Sequence, residues 1–93
     1  MQQGQIMQLS VEISKYPLAE VDYVAAIQNF IDRINTHPDI TIVTNVMSTQ
    51  LFGDYDVIMK ALTLELKTSF ELYGTTVFAC KFIPGNLYQK YAS

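Results

Sequence analysis

The apolar residues of this chain follow two periods, one typical of strands and one typical of helices, and the order of these periods restricts the possible folds. Between residues 6 and 16, apolar and polar side chains alternate as in a half-buried strand. In the next segment the apolar residues recur at helical steps: Tyr23, Val24, Ile27, Phe30, Ile31 and Ile34. We expect Asp22 to cap this helix, and Pro38 to end it near Asn35 or Thr36.

Three further segments are predicted to be strands. Residues 40–47 are rich in β-branched side chains, and residues 49–52 form a second extended run. A tight connection or bulge near residues 45–48 is expected to join them. Residues 75–83 alternate again, and Pro84 ends this last strand.

A second helix is predicted between the third and the last strand. Either Asp54 or Asp56 is placed to cap it, and Gly74 provides its C-terminal end. Its expected apolar face contains Tyr55, Met59, Leu62, Leu66, Phe70 and Tyr73. The element order is therefore β-α-β-β-α-β.

This order predicts one α+β domain, residues 1–93, with a ferredoxin-like βαββαβ fold. The expected antiparallel sheet has four strands in the order 4-1-3-2 and carries both helices on one face. The residues expected to contact the helices are Met7, Leu9, Val11, Ile13, Phe78, Cys80 and Phe82. The other face is open within one chain, and isolated domains rarely expose large apolar patches. We therefore expect a homodimer or homotetramer through the open sheet face, with the aromatic segment 86–93 packed on a neighbouring subunit.

The charge and cysteine content disfavour several classes of protein. Six Lys and Arg against nine Asp and Glu give a net charge of −3, so the chain lacks the positive field that nucleic acids or anionic membranes require. Its one cysteine, Cys80, cannot form an internal disulfide, which favours a reducing, cytoplasmic location. We expect no signal peptide and no membrane span.

Residues for metal or nucleophilic chemistry are scarce. The chain has one His and one Cys, and no closely spaced set of His, Asp and Glu, so no metal site is expected. We interpret His37 as a solvated turn residue and Cys80 as an inert core thiol. The four glycines lie too far apart for a phosphate-binding loop. We therefore predict no cofactor and no catalytic residue.

A polar set on the open sheet face remains as the candidate site. Glu12 and Lys81 are expected to face each other, either as an ordinary ion pair or with Glu12 bonding an amino-heterocycle or balancing a cation. The nearby donors and acceptors are Ser10, Ser14, Thr44, Asn45, Ser48, Thr49 and Gln50. Tyr16 and Met47 could stack on a flat ligand, or they could be core or interface residues. The pattern leaves open whether Thr44 or Asn45 faces the site.

Three segments carry a resemblance to a known family. They are residues 11–18 (Val-Glu-Ile-Ser-Lys-Tyr-Pro-Leu), residues 44–55, in which Met-Ser-Thr-Gln precedes Phe-Gly, and residues 77–82 (Val-Phe-Ala-Cys-Lys-Phe). Together they resemble the YkoF-like thiamine/hydroxymethylpyrimidine-binding family. The resemblance implies a ferredoxin-like protein that binds thiamine or its pyrimidine without transforming it, in vitamin uptake, salvage or sensing.

The resemblance also implies a set of ligand-binding residues: Glu12, Ser14, Tyr16, Asn45, Ser48, Thr49, Gln50 and Lys81. Glu12 or Asn45 would bond the amine of the pyrimidine. Ser48 and Thr49 would bond its ring nitrogens, and Tyr16 would cover the ring face.

The name-giving member of the family resembles two such modules in tandem, whereas this chain holds one. A homodimer or tetramer would restore that arrangement. Lys81 would then hold the neighbouring carboxylate or meet a phosphate of the ligand. Two alternatives remain: a dimeric ferredoxin-like enzyme of the oxygenase or isomerase type, and a purely structural or regulatory oligomerisation domain.

Overall fold

The computed structural model describes residues 6–19 and 22–91. In chain order its elements are β1 (Gln8–Pro17), α1 (Tyr23–Ile34), β2 (Thr41–Thr44), β3 (Thr49–Asp54), α2 (Tyr55–Tyr73), β4 (Thr76–Pro84) and α3 (Leu87–Tyr91). The strands form one antiparallel sheet in the order β2-β3-β1-β4, which is the predicted order read from the other edge. The ferredoxin-like α+β fold is therefore confirmed, with α1 and α2 packed on one face.

The two long helices begin and end close to the predicted residues. The carboxylates of Asp22 and Asp54 each accept a hydrogen bond at 3.1 Å from the backbone N–H three residues later, so Asp54 rather than Asp56 caps α2. Gly74 follows α2 with a φ of 71°, a left-handed conformation that glycine adopts without strain. Local capping chemistry therefore determines both helix boundaries.

β2 is shorter than predicted, since it covers Thr41–Thr44 rather than residues 40–47. The side-chain oxygen of Asn45 accepts hydrogen bonds from the backbone N–H groups of Met47 and Ser48, at 2.9 and 3.1 Å. These bonds form a turn in place of further strand pairing. The predicted tight connection is confirmed, but the long second strand is wrong.

The core lies between the sheet and the two long helices. Its buried residues are Leu9, Val11, Ile13, Phe30, Ile34, Ile40, Leu51, Ile58, Ala61 and Leu62. Phe78 and Cys80 pack against this core, half buried, as predicted. The prediction is wrong for Met7 and Phe82, which are both more than half exposed, because Met7 precedes β1 and Phe82 lies on an edge strand.

The buried face of α2 is rotated from the predicted one. Its buried residues are Ile58, Ala61, Leu62, Glu65 and Ser69, whereas Tyr55 and Phe70 are more than a third exposed. The apolar pattern predicted a different buried face because two of the buried residues, Glu65 and Ser69, are polar. Both have hydrogen-bond partners inside the fold, which permits their burial.

The open face of the sheet is partly covered by α3. The Tyr88 ring lies 5.5 Å from the Phe52 ring, measured between centroids. The Ser10 hydroxyl donates to the Gly85 carbonyl at 2.8 Å and accepts from the Leu87 N–H at 2.9 Å. Within one chain, α3 therefore packs on its own sheet, and the expected contact of this segment with a neighbouring subunit stays a prediction. Within the described part of the chain, no helix is long and apolar enough to cross a membrane.

Candidate functional site

Four side chains form a row across the open sheet face, one from each strand. Gln50 lies opposite Val43 on one side and Glu12 on the other. Lys81 lies opposite Glu12, with its ammonium 3.5 Å from a carboxylate oxygen, so the predicted cross-strand pair is confirmed. Because the Lys81 side chain is mostly exposed, solvent screens this pair and the ammonium can contact other groups.

Glu12 also connects this row to the turn between β2 and β3. The Ser48 hydroxyl donates a hydrogen bond of 2.8 Å to the second Glu12 oxygen. This hydrogen bond, assisted by the charge of Lys81, holds the pKa of Glu12 below its usual value. The ionised carboxylate is therefore held between the turn and β4.

A cavity of about 470 Å³ lies where the end of β1, α1 and the β2–β3 turn meet. We call it the loop cavity; its lining is residues 13–18, Tyr23, Ile27, Phe30, Ile31 and residues 44–49. The structure brings together here five of the predicted site residues: Ser14, Tyr16, Asn45, Ser48 and Thr49. Three aromatic side chains, those of Tyr16, Tyr23 and Phe30, are part of the lining.

The other three predicted residues, Glu12, Gln50 and Lys81, line a second cavity of about 440 Å³ between the sheet and α3. We call it the sheet-face cavity; the rest of its lining is Ser10, Val11, Val43, Phe52, Ile83, Leu87, Tyr88 and Tyr91. The two cavities share no lining residue. The predicted site is therefore divided in two, and the hydrogen bond from Ser48 to Glu12 joins the parts.

The polar groups of the loop cavity have partners that determine what they can still bind. The Ser14 hydroxyl donates to the Met47 carbonyl at 3.3 Å, and the Ser48 hydroxyl donates to Glu12. Both hydroxyl oxygens keep lone pairs that can accept a hydrogen bond. The Asn45 oxygen is used by the turn, which leaves its NH₂ group as a donor.

The strand register decides the orientation of Thr44 and Thr49. Both lie on the helix side of the sheet, in line with Ile13, and their hydroxyl oxygens are 3.2 Å apart. Thr44 and Asn45 both line the loop cavity, Thr44 from the strand and Asn45 from the turn. The Thr49 hydroxyl is paired within the sheet, so it is less available to a ligand than those of Ser14 and Ser48.

Lys15 is a buried charged residue that the sequence analysis missed. Its ammonium donates to the Ala26 carbonyl at 2.7 Å and to the Ser69 hydroxyl at 3.3 Å, and lies 4.5 Å from the centroid of the Tyr73 ring. The residue is 6% exposed, and this burial lowers the pKa of its amine. The alternation of β1 was the available signal, because it places residue 15 on the same face as Ile13.

Replacing Lys15 with Met is expected to leave the protein at least as stable at pH 7, because the variant no longer buries a charge that pairs with no carboxylate among the described residues. The lowered pKa means that the unfolded chain binds more protons between the folded pKa and the ordinary value of 10.5. Wild-type stability should therefore rise relative to Lys15→Met as the pH increases through that window. Urea unfolding of both proteins at several pH values measures the difference; a difference independent of pH would contradict this account.

His37 is not the solvated turn residue that we expected. Its Nε2 lies 2.8 Å from one oxygen of Glu65, and Nε of Arg33 lies 2.7 Å from the other. Burial alone would raise the pKa of Glu65, but the hydrogen bonds from His37 and Arg33 hold it below its usual value. Sequence spacing did not reveal this cluster, because Glu65 belongs to a different helix.

The remaining candidates for metal binding or nucleophilic chemistry are side chains of His, Cys, Asp and Glu. The described residues contain no group of three or more His, Cys, Asp and Glu that could hold a metal ion. Cys80 is half buried, and burial raises the pKa of its thiol, as for an inert core cysteine.

Neither a family model nor a curated protein matches the chain. Several solved structures do. A protein from Streptococcus pneumoniae has a TM-score of 0.80 and 23% identity, covering 94% of this chain and 100% of its own. A protein from Thermotoga maritima, provisionally assigned to thiamine biosynthesis or salvage, has a TM-score of 0.78 and 15% identity, covering 91% of this chain and 96% of its own.

A third structure, of a hypothetical protein from Methanocaldococcus jannascii, has a TM-score of 0.72 and 26% identity, covering 82% of this chain and 78% of its own. These similarities agree with the ferredoxin-like fold. The structural neighbours thus include one with a thiamine-related assignment.

Proposed function

We propose that this chain binds thiamine or its hydroxymethylpyrimidine part in the loop cavity and does not transform it. The observation that carries the proposal is the grouping of five polar and aromatic residues, first noted from the family resemblance, around one cavity. Its volume of about 470 Å³ lies within the range of roughly 300–1,000 Å³ that is common for small-molecule sites. The thiamine-related assignment of one structural neighbour supports the proposal.

The available groups match an aminopyrimidine. The ligand's amine would donate to the hydroxyl oxygens of Ser14 and Ser48, and the Asn45 NH₂ would donate to a ring nitrogen. Tyr16 and Tyr23 would cover the ring, since aromatic faces stack favourably on flat heterocycles.

In this proposal Glu12 acts through Ser48 rather than by direct contact. Because the Ser48 hydroxyl proton is directed at Glu12, the Ser48 oxygen presents its lone pairs to the cavity. Lys81 holds the other carboxylate oxygen. Glu12 and Lys81 are thus positioning residues for the ligand site.

The proposal includes a homodimer or homotetramer in the cytoplasm, assembled through the open sheet face. Three apolar residues on that face remain more than 40% exposed: Tyr16, Val77 and Ile83. Covering them would remove apolar surface from water. The biological role would be vitamin uptake, salvage or sensing.

Thermal unfolding with hydroxymethylpyrimidine and with thiamine tests the ligand assignment. A ligand at about 100 times its dissociation constant should add about 2.7 kcal/mol to the free energy of unfolding.

Replacing Ser48 with Ala should weaken binding by about tenfold in calorimetric titration, because one hydrogen bond is lost.

Thr63→Ala is the matched control. Thr63 is exposed on α2, and its hydroxyl donates to the carbonyl four residues before it, outside both cavities, so its replacement should leave the affinity unchanged. The absence of any thermal shift with hydroxymethylpyrimidine, thiamine and their phosphates would overturn the proposal. Equal losses in the two variants would remove Ser48 from the site.

A further inference from the structure

β4 is a long edge strand of apolar character. It spans nine residues, Thr76–Pro84, and pairs on its inner side with β1 along its whole length. On its outer side no strand pairs with it in the described part of the chain. The opposite edge, β2, has only four residues. Long apolar edges are templates for pairing with another chain unless charges, bulges or proline interrupt them.

Exposed apolar side chains lie on both faces of β4. Phe82 is on the helix side, opposite Val11, and is 51% exposed on this edge strand. Phe78 on the same side contacts the half-exposed ring of Phe70 at 5.7 Å. On the open face, Val77 and Ile83 are also nearly half exposed. The only charge in the strand is Lys81.

We propose that β4 pairs with β4 of a second copy of this chain in an antiparallel, two-fold symmetric arrangement, which joins two sheets into one of eight strands. Cys80 is the middle residue of β4, so a two-fold axis at Cys80 pairs the strands along all nine residues. This register places Phe82 opposite Phe78 of the partner subunit, and Ile83 opposite Val77 of the partner subunit. Apolar cross-strand pairs stabilise such ladders.

The neighbouring registers are less favourable. An axis at Lys81 would set the two ammonium groups directly opposite each other, which is repulsive. An axis at Ala79 would place Phe82 opposite Thr76 of the partner subunit and Lys81 opposite Val77 of the partner subunit. The register centred on Cys80 covers the exposed aromatic ring with another ring and keeps the two lysines apart. The strand is therefore self-complementary, as a two-fold interface requires.

This edge is distinct from the sheet face in the proposed function, and an experiment separates the two. Sedimentation equilibrium of the full chain should give at least twice the 10.5 kDa monomer mass. Phe82→Glu should halve the wild-type mass, because it places charge in the pairing strand. Leu72→Glu changes an equally exposed residue on α2 and should leave the mass unchanged. Circular dichroism confirms that both variants are folded.

Oxidation of the wild-type protein with copper phenanthroline provides a measurement without mutation of the strand. Residues directly opposite in an antiparallel pair have Cα atoms about 4.5–5.5 Å apart, within the span of a disulfide. We expect most of the protein to become a covalent dimer through Cys80, and none of the Cys80→Ser variant. In a dimer formed only through the open face, each Cys80 thiol would lie on the helix side of its own sheet, away from the interface, and no covalent dimer would form. The edge pairing would be overturned if the protein sediments as a monomer. It would also be overturned if Phe82→Glu leaves the oligomer intact and the Cys80 thiol stays free after oxidation. Either result would leave the ligand proposal untouched.

Discussion

Replacing Leu51 with Ala is expected to lower the free energy of unfolding by about 3 kcal/mol, within the range of roughly 2–5 kcal/mol for buried leucines. Leu51 is completely buried in β3, where Val11 of β1 and Ile42 of β2 are its cross-strand neighbours. The sheet and helices surround the site, so the surrounding atoms can only partly fill the cavity that the variant leaves. A domain of this size has a total stability of only about 5–15 kcal/mol, and the loss would be a large part of it.

Urea unfolding followed by circular dichroism measures this effect. Val46→Ala is the control, because Val46 is fully exposed at the tip of the β2–β3 turn and should change stability by less than about 0.5 kcal/mol. Similar losses in both variants would show that Leu51 does not occupy the centre of the core.

Replacing Glu65 with Gln is expected to lower stability by about 2 kcal/mol at pH 7. The change keeps the size of the side chain but replaces the carboxylate, which accepts hydrogen bonds from Arg33 and His37, with a neutral amide. Hydrogen bonds to charged groups contribute about 1.5–3 kcal/mol each. The expected loss is smaller than the sum of two such bonds, because the Arg33 side chain is 40% exposed and solvent screens that pair.

The effect of Glu65→Gln should depend on pH. The folded pKa of Glu65 lies below its ordinary value of 4.5, so its contribution is complete above that value and is lost as the pH falls through the folded pKa. The stability difference between wild type and variant should therefore shrink below about pH 4.5. Urea unfolding between pH 3 and pH 7 measures this difference.

Glu71→Gln is the matched control for this measurement, since Glu71 is exposed on the same helix. It should show little loss of stability at any pH. A Glu65→Gln difference of the same size at pH 3 and pH 7 would contradict the assigned charge interactions.

The elements that local chemistry specifies were predictable. Asp22 and Asp54 mark the starts of the two long helices, because their side chains accept hydrogen bonds from backbone N–H groups in the first turn. Gly74 marks the end of α2, because glycine adopts a positive φ without strain. The alternation in β1 and β4 also predicted which residues share a face, and from it the opposition of Glu12 and Lys81. The predicted strand order placed β1 beside β4, and the two-residue period of each strand placed both side chains on the open face. No knowledge of side-chain contacts was needed to predict this pair.

The candidate site was predicted only in part. The residues of the β2–β3 turn and the end of β1 do meet around the loop cavity, but Glu12, Gln50 and Lys81 face another cavity. The division was not predictable, because the conformation of the β2–β3 turn depends on two hydrogen bonds that the Asn45 oxygen accepts from the backbone. The apolar pattern does not encode these bonds.

Taken alone, the order and period of the apolar residues determined the ferredoxin-like fold, since each strand and helix has one face that must leave water. The tertiary structure decided which polar residues could be buried with them. Lys15 is buried because the Ala26 carbonyl and the Ser69 hydroxyl accept hydrogen bonds from its ammonium. Glu65 is buried because Arg33 and His37, from another part of the chain, bind its carboxylate. Burial of a polar group depends on partners that only packing brings within hydrogen-bond distance.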